Sequence, residues 1–279
     1  MTDTLLEVRN LSVRYGNAPQ DAVRDVSFTL GRERLGIVGE SGSGKSTMGR
    51  ALMQLLPGAS IRADKMAFMG RDLLALNEAE MLKIRGRQIS MILQDPKYSL
   101  NPIHRVGDQI AETLLRHFPI SRSEARQKSL AMLEAVKIRD PERVFDLYPH
   151  EVSGGMGQRI MIAMMLLADP RIVIADEPTS ALDVTVRLSV LKILEDLVKE
   201  RGIGLIIISH DLNLVRNFCD RVIVMFGGRV VETLPARELD NASHPYTRGL
   251  MAAQPRIGGP RTPLPVLDRS AQWSQEIVS

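Results

Sequence analysis

The chain of 279 residues contains one cysteine, Cys219, and no long apolar run. One cysteine excludes an internal disulfide, a cysteine-rich zinc site and a cysteine-ligated cluster within this chain, and it fits a reducing, cytoplasmic compartment. The longest uncharged apolar run, Ile160 to Ala168, is about half of the roughly 18 residues that a membrane span needs. The N-terminal segment has charges where a secretory signal needs its apolar stretch. We therefore expect no membrane span and no export signal, and we expect Cys219 to be a buried structural thiol.

The chain also lacks an excess of charge of one sign. Lys and Arg number 36 against 33 Asp and Glu, a net charge of +3, and the basic residues are scattered along the sequence. Proteins that bind nucleic acid or anionic lipid electrostatically carry a concentrated basic surface instead. A nucleic-acid partner is therefore not expected. Apolar residues make up 44% of the chain, which is enough for a folded core.

Two kinds of apolar pattern predict strands. Apolar residues alternate with polar ones between Leu6 and Tyr15 and again between Val26 and Leu30, which is typical of half-buried antiparallel strands. Four short, continuously apolar runs are instead typical of parallel strands that are covered on both faces. These runs are Leu35 to Val38, Ile89 to Leu93, Ile172 to Ala175 and Leu205 to Ile208.

Helical patterns separate these strands and complete the predicted fold. Ser121 and Glu124 form a capping-box pattern before one helix, and Asp183 is the predicted N-cap of another. The interval from about residue 95 to 169 contains helical patterns only. The sequence therefore predicts an α/β fold with an N-terminal antiparallel β-subdomain, a mostly parallel central sheet and an inserted helical subdomain. One domain would span residues 1–253, followed by a Pro/Gly-rich tail over 254–279.

A glycine-rich loop follows the first continuously apolar strand and precedes a helical run. In that context Gly42 and Gly44 let the backbone wrap with its N–H groups pointing inward, where they can bind phosphate. Lys45 would reach the β- and γ-phosphates, and Ser46 would hold Mg²⁺. The predicted nucleotide-binding residues are Gly39, Glu40, Ser41, Gly42, Ser43, Gly44, Lys45, Ser46 and Thr47.

Two acidic residues end the third continuously apolar strand. Asp176 is the expected Mg²⁺ partner through water, and Glu177 is the candidate general base that polarises a water aimed at the γ-phosphate. The alternative for Glu177 is a solvated acid at a strand end. The phosphate loop earlier in the chain favours the catalytic role.

A second predicted anion site precedes this acidic pair. Ser153 is a good N-cap for the helix that follows, and Gly154 and Gly155 would let another molecule approach the exposed N–H groups at its start.

Together these motifs resemble those of the ATP-binding cassette (ABC) family, and they occur in that family's order. The resemblance covers nearly residues 5 to 250 and implies an ATPase that uses Mg²⁺. It further implies that Tyr15 stacks on adenine, that Gln94 senses Mg²⁺ and water, and that His210 contacts the γ-phosphate. Asp183 would organise the contact between two cassettes. Each of these residues, taken alone, would be an ordinary loop, strand-end or surface residue.

Two further segments, 94–102 and 244–250, are similar to those of the subgroup that energises import of oligopeptides, dipeptides or nickel. The resemblance is to the first of that subgroup's two paired ATPase types. It implies two membrane permease subunits, a second related ATPase subunit, an extracytoplasmic substrate-binding protein as an indirect partner, and a peripheral position on the cytoplasmic face of the inner membrane. The family's signature motif corresponds here to Ser153 to Gln158. Val152, Met156 and Gly157 depart from its usual sequence, and Gly157 weakens the first helical turn.

The resemblance also implies a surface that meets a permease loop. That surface would combine Gln94 to Leu115 with Tyr148 to Glu151, and its apolar floor would be Ile103, Val106 and Ile110.

Alternative functions remain at this point. Peptide is favoured over nickel as the transported substrate because that branch is broader. A soluble ABC ATPase that acts on nucleic acid or the ribosome would carry coiled-coil heptads or a second phosphate loop, and the chain has neither. A regulatory nucleotide-binding module without turnover would not need both Glu177 and His210. A GTPase is excluded because no Asn-Lys-x-Asp tetrad occurs.

Overall fold

The structure, a computed structural model, describes residues 4–94, 99–180 and 182–254. The chain divides into two compact units, the first formed by residues 1–76 and 206–279 and the second by residues 77–205. The predicted tail lies outside the described residues from position 255 onward. Within the described part of the chain, no helix is both long enough and apolar enough to cross a membrane.

The described secondary-structure elements include both strands and helices throughout, with consecutive strands near the N-terminus and consecutive helices between residues 106 and 166. In chain order they are β1 (Leu6–Tyr15), β2 (Val23–Leu30), β3 (Arg34–Val38), α1 (Lys45–Leu52), β4 (Ala59–Arg62), β5 (Lys65–Phe68), β6 (Arg71–Asp72), α2 (Glu78–Met81), β7 (Ile89–Ile92), α3 (Val106–His117), α4 (Arg122–Ala135), α5 (Pro141–Asp146), a 3₁₀ turn (Pro149–Glu151), α6 (Gly154–Leu166), β8 (Ile172–Asp176), α7 (Val184–Arg201), β9 (Gly204–Ile208), α8 (Leu212–Phe218), β10 (Arg221–Phe226), β11 (Arg229–Pro235), a second 3₁₀ turn (Ala236–Asn241) and α9 (Pro245–Ala252). The predicted α/β class is confirmed.

An antiparallel sheet occupies the N-terminal part of the first unit. Its strand order is β2-β1-β5-β6, and β4 also pairs with β1. Strand β1 changes phase after Val8, because a register shift separates the pair Val8–Phe28 from the pair Leu11–Val26. Asn10, which lies at this shift, has a left-handed φ of 52°. The bulge explains why the buried positions in β1 do not keep a strict period of two.

The remaining strands of the first unit include the parallel pair β3 and β10, and β10 pairs antiparallel with β11. Strand β3 is buried along its apolar residues. Helix α8 packs directly on it, because a Cβ added at Gly36 would lie 2.3 Å from Cγ1 of Val215 and 3.2 Å from Sγ of Cys219. Cys219 is buried, as predicted, and burial raises the pKa of its thiol to about 12. A neutral, structural thiol follows.

The second unit contains the parallel pair β7 and β8 and most of the helices. Among the described residues between 99 and 169 only helices and one 3₁₀ turn occur. Ser121 caps α4 by accepting a hydrogen bond from the Glu124 N–H at 3.1 Å, and Asp183 caps α7 through the N–H groups of Thr185 and Val186. Both predicted caps are confirmed.

One prediction about the helical region is wrong. Val106 and Ile110 are fully buried, so they form part of the core of the second unit and cannot provide an apolar floor for a permease loop. Ile103 is 75% exposed. The error arose because an amphipathic helix shows which face is apolar without showing whether that face packs inside its own domain.

Candidate functional site

The phosphate loop connects β3 to α1 in the first unit and has a backbone that requires glycine at two positions. Gly39 has φ 150°, and a Cβ there would lie 2.2 Å from the carbonyl oxygen of Met225. Gly44 has φ 96° and caps α1 without a side-chain hydrogen bond. The first-turn N–H groups of α1 therefore have no side-chain cap competing for them, and they can bind phosphate oxygens.

Lys45 is the cation of this loop, and its ammonium is held in place by the loop itself. Nζ donates to the carbonyl oxygens of Gly39 at 2.8 Å and Glu40 at 2.7 Å, and it lies 3.3 Å from Oγ of Ser43. The side chain is buried. These three oxygens partly compensate the desolvated charge and fix the position of the ammonium within the loop.

A cavity of about 470 Å³ opens beside the loop. Its lining residues are Glu40, Ser41, Gly42, Ser43, Phe226 and Gly227. The last two come from the end of β10 and the turn after it. Sequence reasoning did not find these two residues, because no motif marks them and only tertiary structure brings them to the loop.

Tyr15 and His210, two of the residues assigned by family resemblance, also belong to the first unit. Tyr15 is 41% exposed, and its hydroxyl lies 3.3 Å from Oγ1 of Thr47, the last residue of the loop motif. An exposed ring anchored beside the loop can stack on a base. His210 is exposed and follows Ser209, whose N–H donates to the carbonyl oxygen of Ile37 in β3. This bond ties the residue before His210 to the strand that leads into the loop.

The acidic pair lies in the second unit, at the end of β8. Asp176 is buried, and Glu177 follows it with a left-handed φ of 49°. A non-glycine residue with this conformation is strained, by about 1 kcal/mol or more, and such residues cluster at functional sites. Nε2 of Gln94 donates to Oε2 of Glu177 at 3.1 Å. The structure thus brings together two predicted catalytic residues that are 83 positions apart in sequence.

The Gln94 amide orients the Glu177 carboxylate. A carboxylate held in one orientation can serve as the proton acceptor for a water molecule placed beside it. The backbone turn at Glu177 is tied down as well, because both the N–H and the hydroxyl of Ser180 donate to the Glu177 carbonyl oxygen, at 3.2 Å each. This geometry suits a general base.

The predicted signature begins helix α6. Ser153 is exposed and accepts a hydrogen bond from the Met156 N–H at 3.4 Å, which makes it the N-cap. Gly154 is exposed beside it, and a Cβ at Gly155 would lie 2.6 Å from Cγ1 of Val186 in α7. The start of α6 is therefore accessible from solvent on the side of Ser153 and Gly154 and tightly packed on the side of Gly155.

A second cavity, of about 530 Å³, adjoins this helix start. Its lining residues are Leu100, Pro102, Pro149, His150, Val152, Ser153, Gly154 and Gly157. Gly157 thus lines the cavity and adds neither side-chain volume nor charge to that wall.

The candidate metal ligands are Ser46, Gln94 and Asp176. Among the described residues, no group of three or more His, Cys, Asp and Glu side chains could hold a metal ion. A hydroxyl, an amide oxygen and a carboxylate are hard oxygen donors, which suit Mg²⁺ that also binds nucleotide phosphates and keeps several waters. The donor types therefore fit the expected ion.

Comparison with known proteins identifies close relatives. The sequence pattern of the family described as "ABC transporter" matches residues 23–180. The chain is 48% identical over 259 residues to the oligopeptide transport ATP-binding protein OppD of Escherichia coli, covering 91% of this chain and 77% of that protein. It is 46% identical over 260 residues to OppD of Bacillus subtilis, covering 91% and 72%.

A solved structure is similar as well. The ATP-binding cassette MJ0796, in a dimeric post-hydrolysis state bound to ADP and Pi, matches with a TM-score of 0.73 and 27% sequence identity, covering 83% of this chain and 99% of that one.

Proposed function

The chain belongs to the ABC transporter family and is an ATP-binding, ATP-hydrolysing cassette, and from this premise we propose that it energises the import of peptides. The observation that carries the proposal is the similarity, over 91% of the chain, to two proteins named as oligopeptide transport subunits. Import of this kind requires membrane permeases as partners. In this proposal the chain is peripheral, on the cytoplasmic face of the inner membrane, and converts ATP binding and hydrolysis into motion.

Each residue set has a defined task in the proposed reaction. The backbone N–H groups after Gly39 and the ammonium of Lys45 bind the phosphates, while the exposed ring of Tyr15 stacks on adenine. Glu177, oriented by Gln94, accepts a proton from the attacking water, and His210 donates to the γ-phosphate. Ser46 and Asp176 would hold Mg²⁺, with Gln94 near the reacting water, and the ion would supply positive charge to the phosphate oxygens.

The signature motif acts, in our proposal, on the ATP that is bound by another subunit. Ser153, Gly154 and Gly155 present the start of α6, and we assign them to the γ-phosphate bound by a partner cassette. The dimeric state of MJ0796 supports this arrangement. The partner in our proposal is a second, related ATPase, with two permeases and an extracytoplasmic binding protein completing the system. Because Gly157 alters one of the two signatures, the two composite ATP sites would not be equivalent.

Reconstitution tests the proposal. The chain would be purified with its co-encoded ATPase, permeases and binding protein. The complex would be placed in proteoliposomes with ATP on the cassette side. ATP hydrolysis and uptake of a labelled tripeptide would then be measured. We expect both activities to rise when the binding protein is loaded with peptide, and both to be lost in Glu177→Gln. Stimulation by Ni²⁺ and not by peptide would reassign the cargo, and ATP hydrolysis indifferent to both would reject import of either.

A further inference from the structure

The C-terminal helix of the described chain contacts the phosphate loop directly. The backbone N–H of Glu40, the second residue of the loop, donates a hydrogen bond of 3.0 Å to the phenol oxygen of Tyr246 in α9. The two residues are 206 positions apart, and both belong to the first unit. None of the nucleotide-binding motifs contains Tyr246.

Glu40 is therefore held on both sides of its own backbone. Its N–H bonds to Tyr246, and its carbonyl oxygen accepts the 2.7 Å hydrogen bond from Nζ of Lys45. Any displacement of the Glu40 backbone would move an oxygen that positions the loop's cation. Tyr246 is thus linked to the ammonium of Lys45 through one intervening residue, Glu40.

Tyr246 is itself rigidly placed. Its side chain is fully buried, and its ring packs against that of Phe226 with the centroids 4.6 Å apart. His244 caps α9, with Nδ1 accepting the Tyr246 N–H at 3.1 Å. The helix carrying the phenol therefore has little freedom to move relative to β10.

A buried carboxylate anchors the start of the same helix. Oε1 of Glu232 in β11 accepts hydrogen bonds from the N–H and hydroxyl of Ser243, at 2.7 and 2.8 Å, and from the N–H of His244 at 3.2 Å. Burial raises the pKa of this carboxyl, but hydrogen bonds from the segment 243–247 outweigh burial and lower the net pKa below its ordinary value. The group is ionised at neutral pH and holds the helix start as an anion.

We infer that Tyr246 is a positioning residue that sets the conformation of the phosphate loop, so that α9 contributes to ATP affinity without touching the nucleotide. The physical reason is that the loop has glycines with positive φ at Gly39, Gly42 and Gly44 and so loses much conformational entropy when it is ordered. A hydrogen bond to a rigid, buried phenol removes part of that freedom before ATP arrives, which favours binding. The inference assumes that this loop binds ATP.

Tyr246→Phe is the direct test, because it removes the hydroxyl and keeps the ring contact with Phe226. We expect the Kd for ATP, measured by calorimetry on the full chain, to rise about three- to tenfold, the range for loss of one neutral hydrogen bond. Amide hydrogen exchange should accelerate at Glu40 and its loop neighbours and stay unchanged in β10. Thermal unfolding without nucleotide reports any general loss of stability.

Ser129→Ala is the matched control, because it also removes one buried hydroxyl-to-backbone hydrogen bond, the 2.7 Å bond to the Ala125 carbonyl oxygen in α4. That helix belongs to the second unit. The control should lose some thermal stability, but its ATP affinity and the exchange of the Glu40 amide should match those of wild type.

The outcomes separate this inference from the proposed function. Wild type that fails to bind ATP would reject ATP binding by the loop itself. If wild type binds ATP, the positioning role alone would be overturned by a Tyr246→Phe variant whose Kd for ATP is within twofold of wild type and whose exchange at Glu40 is unchanged. A Tyr246→Phe variant with lower thermal stability and unchanged ATP affinity would overturn it as well. If Tyr246→Phe does not fold, Ser243→Ala, which loosens the anchor of the same helix, should accelerate exchange at Glu40, and exchange at the wild-type rate would overturn the inference.

Discussion

Gln94 and Glu177 form a hydrogen-bonded pair in which the amide of one residue fixes one carboxylate oxygen of the other at 3.1 Å. The proposed reaction requires this carboxylate to accept a proton from water. The pair also couples a residue that follows β7 to one that follows β8, two parallel neighbours in the second unit. Changes at either residue should therefore alter the chemical step more than nucleotide affinity.

Glu177→Gln should keep ATP binding and slow hydrolysis by two or more orders of magnitude, because the amide cannot accept the proton of the attacking water. The measurement is single-turnover ATP hydrolysis in the assembled complex, with Kd for ATP determined in parallel. Glu200→Gln, which neutralises an exposed acid in α7, is the matched control and should hydrolyse ATP at the wild-type rate. A Glu177→Gln rate within threefold of wild type would remove Glu177 from the role of base.

Ser153→Arg should leave ATP binding within twofold of wild type and abolish ATP-dependent dimerisation, since its long charged side chain would occupy the helix start that we assign to the partner's γ-phosphate. Sedimentation of the chain with its partner ATPase, in a Glu177→Gln background that retains ATP, measures the dimer. Ser121→Arg replaces another exposed N-cap, that of α4, and should still dimerise. Loss of ATP binding by the isolated Ser153→Arg chain would place the signature's action within its own subunit.

Ile103→Asp should affect transport and Ile110→Asp should affect stability, because the first side chain is 75% exposed and the second is fully buried. Ile103→Asp is expected to lower peptide uptake in proteoliposomes at unchanged unfolding midpoint and ATP affinity, which is the behaviour of a permease contact. Ile110→Asp is expected to lower the free energy of unfolding by about 3 kcal/mol or more, since it buries an unpaired charge. Wild-type uptake by Ile103→Asp would move the permease surface elsewhere.

Cys219 should not react with a thiol reagent such as DTNB at pH 8 while the chain is folded, because burial raises the pKa of its thiol to about 12 from an ordinary value of 9.0. The same chain in urea should react completely within minutes. The raised pKa also predicts how the free energy of unfolding depends on pH. Above pH 9 the unfolded chain loses the thiol proton while the folded chain keeps it, so the free energy of unfolding decreases as the pH rises from 9 to about 12. Rapid labelling of native protein at pH 8 would contradict the assignment of a structural thiol.

The local parts of the fold were predictable because their causes are local. Ser121 and Asp183 cap helices through N–H groups two or three residues away, and Gly39, Gly42 and Gly44 of the phosphate loop have positive φ angles, which glycine adopts most readily. Short sequence windows contain this information. The four continuously apolar strands were found for the same reason, with ends that differ by one residue.

Other features depend on residues that are distant in sequence, and they could not be predicted from the sequence alone. Strand β4 has alternating half-buried and exposed residues and is recognisable only because it pairs with β1. The burial of Ile110 depends on neighbouring helices, and the bond from Glu40 to Tyr246 joins residues 206 positions apart. In the candidate site, the sequence named the candidate reactive groups, whereas the contacts that support them are visible only in three dimensions.

Because α8 approaches β3 closely, a larger residue at position 36 should make the protein temperature-sensitive. An added methyl group there would push against Val215 and Cys219 in or just after the helix that begins beside His210. Overpacking of this kind costs about 1–3 kcal/mol, and each kcal/mol lowers the melting temperature of a domain this size by roughly 2–4 °C. Gly36→Ala is therefore suited as a heat-sensitive allele. It should support growth on peptides at low temperature and lose function on warming, although no candidate site residue is changed.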